Sequence, residues 1–214
     1  MKPWCGLLAI MAFLFVAVAL SVDRQNDREE QRQRQLAAAL ALRGVEVRFW
    51  RGRAVQATLV AQPLTDTVFR ELAQLPDLER LVLLDVPQLT VSRELTNQLR
   101  SLQELVVINV PYPQLQLEAW RGCRTLKRLK LSQTGLTDDQ LQVLSEFTQM
   151  QRLDLDDNRI SDEGLAQLAQ LPQLKELSVR GNPVTAEGVQ QLLLARPQLV
   201  VHFDKTQVQA VPNN

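Results

Sequence analysis

Cysteine, glycine, histidine and aromatic residues are all scarce in this chain of 214 residues, which contains two Cys, eight Gly, one His and 5% aromatic residues. Two cysteines cannot build a disulfide framework, and one histidine leaves no nitrogen-rich metal site. The net charge is zero, which disfavours nucleic acid as a partner. Leucine and glutamine are abundant instead, which is typical of stacked repeats rather than of an enzyme built around a pocket. We therefore expect no cofactor.

The N-terminus carries a long apolar run, which extends from Trp4 to Val22 if Ser21 is allowed within it. A helix over residues 4–22 would be about 28 Å long, close to the thickness of a bilayer core at roughly 30 Å. The run therefore predicts that residues 1–22 are a transmembrane anchor and that the protein crosses a membrane once.

The same run also has features of a secretory signal peptide. Ala17-Val18-Ala19 matches the small-x-small pattern of a cleavage site, and cleavage after Ala19 would give a secreted or periplasmic protein. This signal-like start favours export of the rest of the chain. The arginines that follow it favour the opposite orientation under the positive-inside rule; they are Arg24, Arg28, Arg32 and Arg34. An anchor with exported repeats is our first prediction, and a cleaved signal is the alternative.

Three further regions follow the apolar run. Residues 23–43 are charged at first and rich in leucine and alanine at the end, which predicts a juxtamembrane helix that stops at Gly44. Residues 44–53 form an N-terminal cap strand and hairpin, since the alternating runs GVEVRFW and AVQATLV flank a short turn. Residues 54–214 make up the last and largest domain.

The stretch LDLDDNRISDEGLAQLAQL, residues 153–171, indicates the nature of that domain. Asp154 and Asp156 fit the start of a calcium loop, but Arg159 stands where such a loop needs glycine and Leu165 where it needs an acid. The stretch instead recurs at an interval of 24 residues, as LKLSQTGLTDDQLQVLSEF and LSVRGNPVTAEGVQQLLLA. We therefore interpret it as one turn of a repeated structure.

The interval of 24 residues holds without insertion over about six and a half repeats. Apolar residues fill the same slots of the pattern LxxLxLxxN in successive repeats. Two of these slots contain Ala57, Leu81, Leu105, Leu129, Leu153, Leu177 and Val201, and Leu59, Leu83, Val107, Leu131, Leu155, Val179 and Phe203. In several repeats a threonine or serine followed by acidic residues marks the start of a short helix. Each repeat is therefore predicted to contain a strand, a turn and a helix.

These slots resemble the leucine-rich repeat family, in particular its 24-residue bacterial repeats. The helical half, NRISDEGLAQLA, is similar to the ribonuclease-inhibitor and F-box-associated types. The resemblance implies an α/β solenoid with a concave parallel sheet and short convex helices, used for binding rather than catalysis. It also implies a bacterial protein, which the apolar run would place at the envelope.

The chain departs from the family pattern at two places. Only Asn158 and Asn182 occupy the Asn slot, whose side chain ties neighbouring turns together in that family. Pro111 and Pro113 interrupt the start of a helix, so we expect an irregular convex side in that repeat.

Residues between the buried slots point out of the concave sheet, because successive strand residues alternate between its two faces. The outward positions are apolar in the first three repeats and charged in the last four. The apolar ones are Val60, Val82, Leu84, Val106 and Ile108. A contiguous apolar patch of this kind usually marks a contact. Its occupant is a protein partner, a second copy of the chain, or residues 23–43 as an internal cover; exposure without any occupant is the remaining alternative.

The charged half adds Lys130, Asp154, Asp156 and Arg180 to the predicted partner-binding residues. Lys130 lies beside Asp154, Asp156 beside Arg180, and Arg152 beside Glu176, as opposite charges on neighbouring strands. Surface pairing worth about 0.2–1 kcal/mol per pair is the simplest interpretation, and contact with a charged partner is the alternative.

Asp154, Ser178 and His202 share one column of the same face, which suggests a hydrolase triad. A triad needs the imidazole between the hydroxyl and the carboxylate, whereas Ser178 stands in the middle here. An open sheet also implies no oxyanion hole. We therefore expect no enzymatic activity, with a hydrolase as the least favoured alternative.

Cys123 falls in an inward slot that other repeats fill with leucine or phenylalanine, so it is predicted to be a buried structural thiol. The complete prediction is a non-enzymatic, membrane-anchored module that binds a protein partner on its concave face. The alternative within binding is a structural envelope protein that self-associates as a homodimer through the apolar patch.

Overall fold

In the described part of the chain, eight strands form a single sheet, in which they follow one another in chain order. The computed structural model describes the backbone of residues 4–89 and 91–204, and within it the side chains of residues 4–20, 23, 24, 112 and 114 are not described. The strands are β1 (Val45–Trp50), β2 (Arg53–Val60), β3 (Arg80–Leu84), β4 (Glu104–Ile108), β5 (Arg128–Ser132), β6 (Arg152–Asp154), β7 (Glu176–Ser178) and β8 (Val200–His202). β1 and β2 form an antiparallel hairpin, and all later neighbours pair in parallel.

The register of the parallel strands follows the interval seen in the sequence. Leu81 of β3 lies beside Leu105 of β4, which in turn lies beside Leu129 of β5. Each pair joins residues 24 positions apart, because equivalent positions of successive repeats stack on one another. The predicted α/β architecture with a parallel sheet is therefore confirmed.

One long helix closes the first end of the core, and the later helices cover the side opposite the sheet. The helices are α1 (Trp4–Ala41), α2 (Asp66–Leu72), α3 (Arg93–Thr96), α4 (Tyr112–Leu115), α5 (Asp162–Leu168) and α6 (Ala186–Ala195), with 3₁₀ helices at Leu117–Gly122 and Asp138–Glu146. The segment after Pro111 is irregular, as the prolines predict. There α4 has only four residues, Gln116 is left-handed with φ of 45°, and a 3₁₀ helix follows at once.

α1 runs without a break from Trp4 to Ala41, so the predicted anchor and the predicted juxtamembrane helix are one continuous helix. In the part of the chain whose side chains are described, none of the helices combines the length and the hydropathy that a membrane crossing requires. The predicted anchor itself lies almost entirely outside that part, since the side chains of residues 4–20 are not described.

The C-terminal half of α1 closes the first end of the hydrophobic core. Leu40 is fully buried in that core and Leu36 packs against it. Gln33 is buried as well; its Oε1 accepts from the Ala54 N–H at 2.7 Å and its Nε2 donates to Asp77 at 3.1 Å. These contacts lie on the core side of the sheet. The described part of residues 23–43 therefore packs against the core and the β2 end of the sheet, and these contacts give no support to the prediction that it covers the concave patch.

Asn158 ties two repeats together with a buried amide. Its Oδ1 accepts from the N–H groups of Thr134 and Leu136, each at 3.1 Å, and from the Thr134 hydroxyl at 2.9 Å. Its Nδ2 donates to the carbonyls of Leu131 at 2.6 Å and Leu155 at 2.9 Å. The role that the resemblance implied for this slot is thus present. Asn182 makes a smaller set of the same bonds at a half-buried position.

The convex side has its own tie between repeats, in which an aspartate bonds the helix start of the next repeat. Asp162 accepts from the Thr185 N–H at 2.9 Å and from its hydroxyl at 2.6 Å, and Asp138 does the same to Ser161. Gly188 lies directly against Asp162, and a Cβ at Gly188 would overlap the carboxylate. The aspartate of one repeat therefore requires the glycine of the next.

This pairing predicts a substitution whose cost depends on the residue at position 162. Gly188→Ala is expected to lower the free energy of unfolding by about 1.5 kcal/mol, because the added methyl displaces the bonded Asp162 carboxylate. In an Asp162→Ala background the carboxylate is gone and only the Cβ of residue 162 remains close, at 2.8 Å, so the cost of the same change is expected to fall to about 0.5 kcal/mol. Urea unfolding of the wild type, the two single variants and the double variant measures how far the two substitutions are coupled. An equal cost of Gly188→Ala in both backgrounds would show that Asp162 is not the cause.

Among the side chains that the structure describes, the largest buried one is Trp120, which is fully enclosed on the convex side of the core. Its ring meets that of Phe69 edge-on at a centroid distance of 5.8 Å, and its indole N–H donates to the Leu115 carbonyl at 3.2 Å. Cys123 is buried nearby, where its thiol donates to the Thr96 carbonyl at 3.6 Å. Burial raises the pKa of the Cys123 thiol to about 12, which agrees with a structural rather than a reactive role.

Candidate functional site

The sheet face turned away from the core carries three columns of side chains, and we call it the concave face. The columns follow the strand register across β2 to β8. The first column runs Gln56, Arg80, Glu104, Arg128, Arg152, Glu176 and Val200, and the second Thr58, Val82, Val106, Lys130, Asp154, Ser178 and His202. The third begins with Val60, Leu84, Ile108 and Ser132.

The apolar end of this face exposes fewer side chains than the sequence predicts. Val60 is 49% exposed, and Leu84 and Ile108 are half-buried. Val82 and Val106, by contrast, are only 8% and 5% exposed. They are short side chains in the middle column, so longer neighbours on both sides exclude solvent from them. The expectation of five exposed apolar residues is therefore corrected to three, which we call the apolar trio.

Ion pairs connect neighbouring strands at the charged end. Lys130 donates to Asp154 across β5 and β6, as predicted. Arg152 pairs with Glu176 at 2.9 Å, also as predicted. Glu104 binds two arginines, Arg80 at 3.4 Å and Arg128 at 3.1 Å. Glu104 and Arg128 were not among the predicted site residues, although their place in the first column was evident from the repeat.

Asp156 does not form the predicted ion pair with the Arg180 guanidinium. Its carboxylate instead accepts from the Arg180 backbone N–H at 2.8 Å and from the Ser178 hydroxyl at 2.6 Å. β6 and β7 end before these residues, at Asp154 and Ser178, so backbone N–H groups of the following turn need acceptors. The Asp156 carboxylate is the acceptor for the Arg180 N–H, and this bond fixes the position of the carboxylate.

The column that suggested a hydrolase is arranged for other contacts. The Ser178 hydroxyl donates to Asp156, whereas His202 Nε2 lies 3.5 Å from Glu176. The hydroxyl and the imidazole are therefore directed to different carboxylates, and the triad geometry is not formed. Over the described residues, no group of three or more His, Cys, Asp or Glu side chains is placed to hold a metal ion.

A shallow cavity of about 410 Å³ lies over the charged half of the concave face. Its walls include Arg128, Lys130 and Arg152 from the middle of the sheet, and Glu176, Arg180 and His202 from its C-terminal end. The sequence predicted the charges but not the cavity, because a cavity depends on the conformations of the long side chains around it. The site as a whole is an open, polar depression beside an apolar surface.

Comparison with known proteins identifies the architecture. The family model for the leucine-rich repeats of an FBD-associated F-box protein matches residues 93–210, which is more than half of the chain. The chain belongs to the leucine-rich repeat family. The resemblance noted from the sequence is confirmed at this level. A search among curated proteins gives no match.

Solved leucine-rich repeat structures share parts of this fold. Human 5T4, a trophoblast glycoprotein, is 20% identical over 71% of this chain and 59% of its own, with a TM-score of 0.55. Internalin C2 from Listeria monocytogenes is 22% identical over 69% and 60% of the two chains, with a TM-score of 0.47. The Arabidopsis receptor kinase HAESA is 19% identical over 75% and 27%, with a TM-score of 0.48. The present chain thus spans less than two thirds of each of them, and 5T4 supports the fold alone.

Proposed function

We propose that this leucine-rich repeat protein is a non-enzymatic interaction module that binds a protein partner on its concave face. The observation that carries the proposal is the division of that face, with the apolar trio beside a charged cavity on one continuous sheet. Hydrogen bonds between strands hold both halves at a fixed spacing. A surface organised in advance loses little conformational freedom when a partner binds.

The proposal also gives each half a separate contribution. Val60, Leu84 and Ile108 would supply apolar contact area, which favours association. Lys130 and Arg180 would supply charges that select and orient the partner. Asp154 and Asp156 are engaged by neighbouring groups of this chain, so in this proposal they position the others.

The proposed setting is the envelope of a bacterium, with residues 4–22 in the membrane and the 24-residue repeats exported. The length and hydropathy of the apolar run support an anchor. The continuity of α1 from Trp4 to Ala41 supports a direct link between the run and the repeats. Cleavage after Ala19 would instead release the domain as a secreted or periplasmic protein.

Crosslinking in intact cells, followed by mass spectrometry, tests the proposal. The wild type is compared with a Leu84→Asp, Ile108→Asp variant, and the variant's fold is checked by circular dichroism. Leu42→Asp, Leu194→Asp is the matched control, because it replaces two exposed leucines that lie off the concave face. We expect a crosslinked protein to disappear in the first variant and to persist in the control, since two buried carboxylates would oppose the contact.

The same experiment distinguishes the alternatives. Crosslinks between two copies of the chain that disappear in the first variant would identify a homodimer instead of a foreign partner. Crosslinks that persist in both variants would contradict a concave binding site. Recovery of the chain from membranes after a carbonate wash tests the anchor, and its release would argue for the cleaved form.

A further inference from the structure

One pair of side chains interrupts the charge order of the concave face. In the first column, Arg80 faces Glu104, Glu104 faces Arg128, and Arg152 faces Glu176, so each of these neighbouring pairs has opposite charge. Arg128 and Arg152, however, lie directly opposite each other on β5 and β6. Like charges in direct register destabilise a sheet.

The ion pairs of the two arginines do not remove this conflict, because each pair is made on the far side. Arg128 Nε contacts Glu104 on β4 at 3.1 Å, and Arg152 Nε contacts Glu176 on β7 at 2.9 Å. The two carboxylates therefore flank the arginine pair instead of separating it. Both arginine side chains are half exposed or more, at 50% and 65%.

The cavity described above opens over this pair. Four of its lining residues are basic (Arg128, Lys130, Arg152 and Arg180) and three are acidic (Glu104, Asp154 and Glu176), which gives a net charge of +1 with His202 neutral. All three acids are in ion pairs. The centre of the cavity is thus a place where an added negative charge completes the alternation.

We propose that Arg128 and Arg152 together bind a carboxylate side chain of an acidic segment of the protein partner. A guanidinium presents paired N–H groups that match a carboxylate, and such charge-assisted bonds are stronger than neutral ones. The bound carboxylate would relieve the repulsion between the two arginines. The inference rests on the proposed function, because it assigns the partner's chemistry at the same face.

The position of the apolar trio extends this description of the partner. Ile108 on β4 lies about one and a half strand spacings from the midpoint between Arg128 and Arg152, and about four residues further along the strand direction. Together these two offsets correspond to a distance of roughly 15 Å. Extended chain covers that distance in about four or five residues. The segment that fits both halves therefore carries an acidic residue and, four or five residues away, one or two apolar ones.

Two peptides that differ only in charge test the inference. Fluorescein-labelled Glu-Glu-Ser-Gly-Ser-Leu-Leu and Gln-Gln-Ser-Gly-Ser-Leu-Leu are titrated with the full-length protein in detergent, and binding is followed by anisotropy. We expect the wild type to bind the acidic peptide about tenfold more tightly. Raising the salt from about 50 to about 300 mM should reduce this preference.

The deciding variant is Arg128→Gln, Arg152→Gln, with Arg70→Gln, Arg100→Gln as a control of equal charge at exposed positions away from the concave face. We expect the first variant to lose the preference for the acidic peptide and the control to keep it. A wild type that does not distinguish the peptides, or a control that loses as much as the first variant, would overturn the inference.

Crosslinking in cells tests this inference separately from the proposed function, which is the binding of a protein partner on the concave face. The partner's crosslinks could be lost in the Leu84→Asp, Ile108→Asp variant but unchanged in the Arg128→Gln, Arg152→Gln variant. That result would contradict carboxylate binding by the two arginines and would support partner binding on the concave face. If both variants keep all crosslinks, the proposed function itself fails. Loss of the crosslinks in both variants supports the two together.

Discussion

Replacing Asn158 by alanine is expected to lower the free energy of unfolding by about 3 kcal/mol. The change removes the Asn158 bonds to two N–H groups, those of Thr134 and Leu136, and to the Leu131 carbonyl. The Leu155 carbonyl also loses its bond to Asn158 but keeps the one from Asn182 Nδ2. These groups are enclosed between two repeats, and a buried polar group without a partner is costly. Thermal unfolding followed by circular dichroism should show a midpoint lower by about 10 °C.

Asn182→Ala is the matched control for that result. It removes the same side chain one repeat later, where the amide is half-buried and bonds Ile160, Leu155 and Arg180. Water can replace part of these bonds, so we expect a loss of about 1 kcal/mol. Equal losses in the two variants would show that enclosure at Asn158 adds nothing to the value of its bonds.

Trp120→Ala is expected to cost more, about 4 kcal/mol, because it empties the largest fully buried side-chain volume in the described part of the chain. The edge-on contact with Phe69 and the bond to the Leu115 carbonyl are lost at the same time. The short and irregular helices of this repeat leave little regular structure to close the space. Urea unfolding should show a lower midpoint.

Trp50→Ala tests whether that effect comes from burial or from the loss of a tryptophan as such. Trp50 is 66% exposed on the hairpin, with the Arg51 guanidinium 5.8 Å from its ring. We expect a change within about 0.5 kcal/mol. A loss at Trp50 comparable to that at Trp120 would contradict the assignment of Trp120 as the packing centre.

The strand register was predictable because a constant interval brings equivalent residues side by side. Leu81, Leu105 and Leu129 follow directly from it, as do the charged neighbours Lys130 and Asp154. The irregular segment after Pro111 was also predictable, since Pro111 and Pro113 interrupt the helix-start pattern of the other repeats; the helix that does form there has only four residues.

The interval of 24 residues does not predict how deeply a side chain is buried by its neighbours or which group it contacts. The burial of Val82 and Val106 depends on the length of the residues around them, and the contact of Asp156 depends on where β6 and β7 end. The continuity of α1 does not follow from the interval, because this helix precedes the first repeat and its two halves differ in composition.

The pairing of Asp162 with Gly188 determines how this solenoid can be lengthened. Residues 162–185 contain an aspartate at the helix start and Gly164 to receive the aspartate of the preceding repeat, so tandem copies of this segment are compatible with one another. Residues 138–161 carry the aspartate but have Gln140 in the receiving position. A second copy of that segment would place the glutamine Cβ against Asp138. Only one of these two units is therefore a self-compatible module for building a longer array.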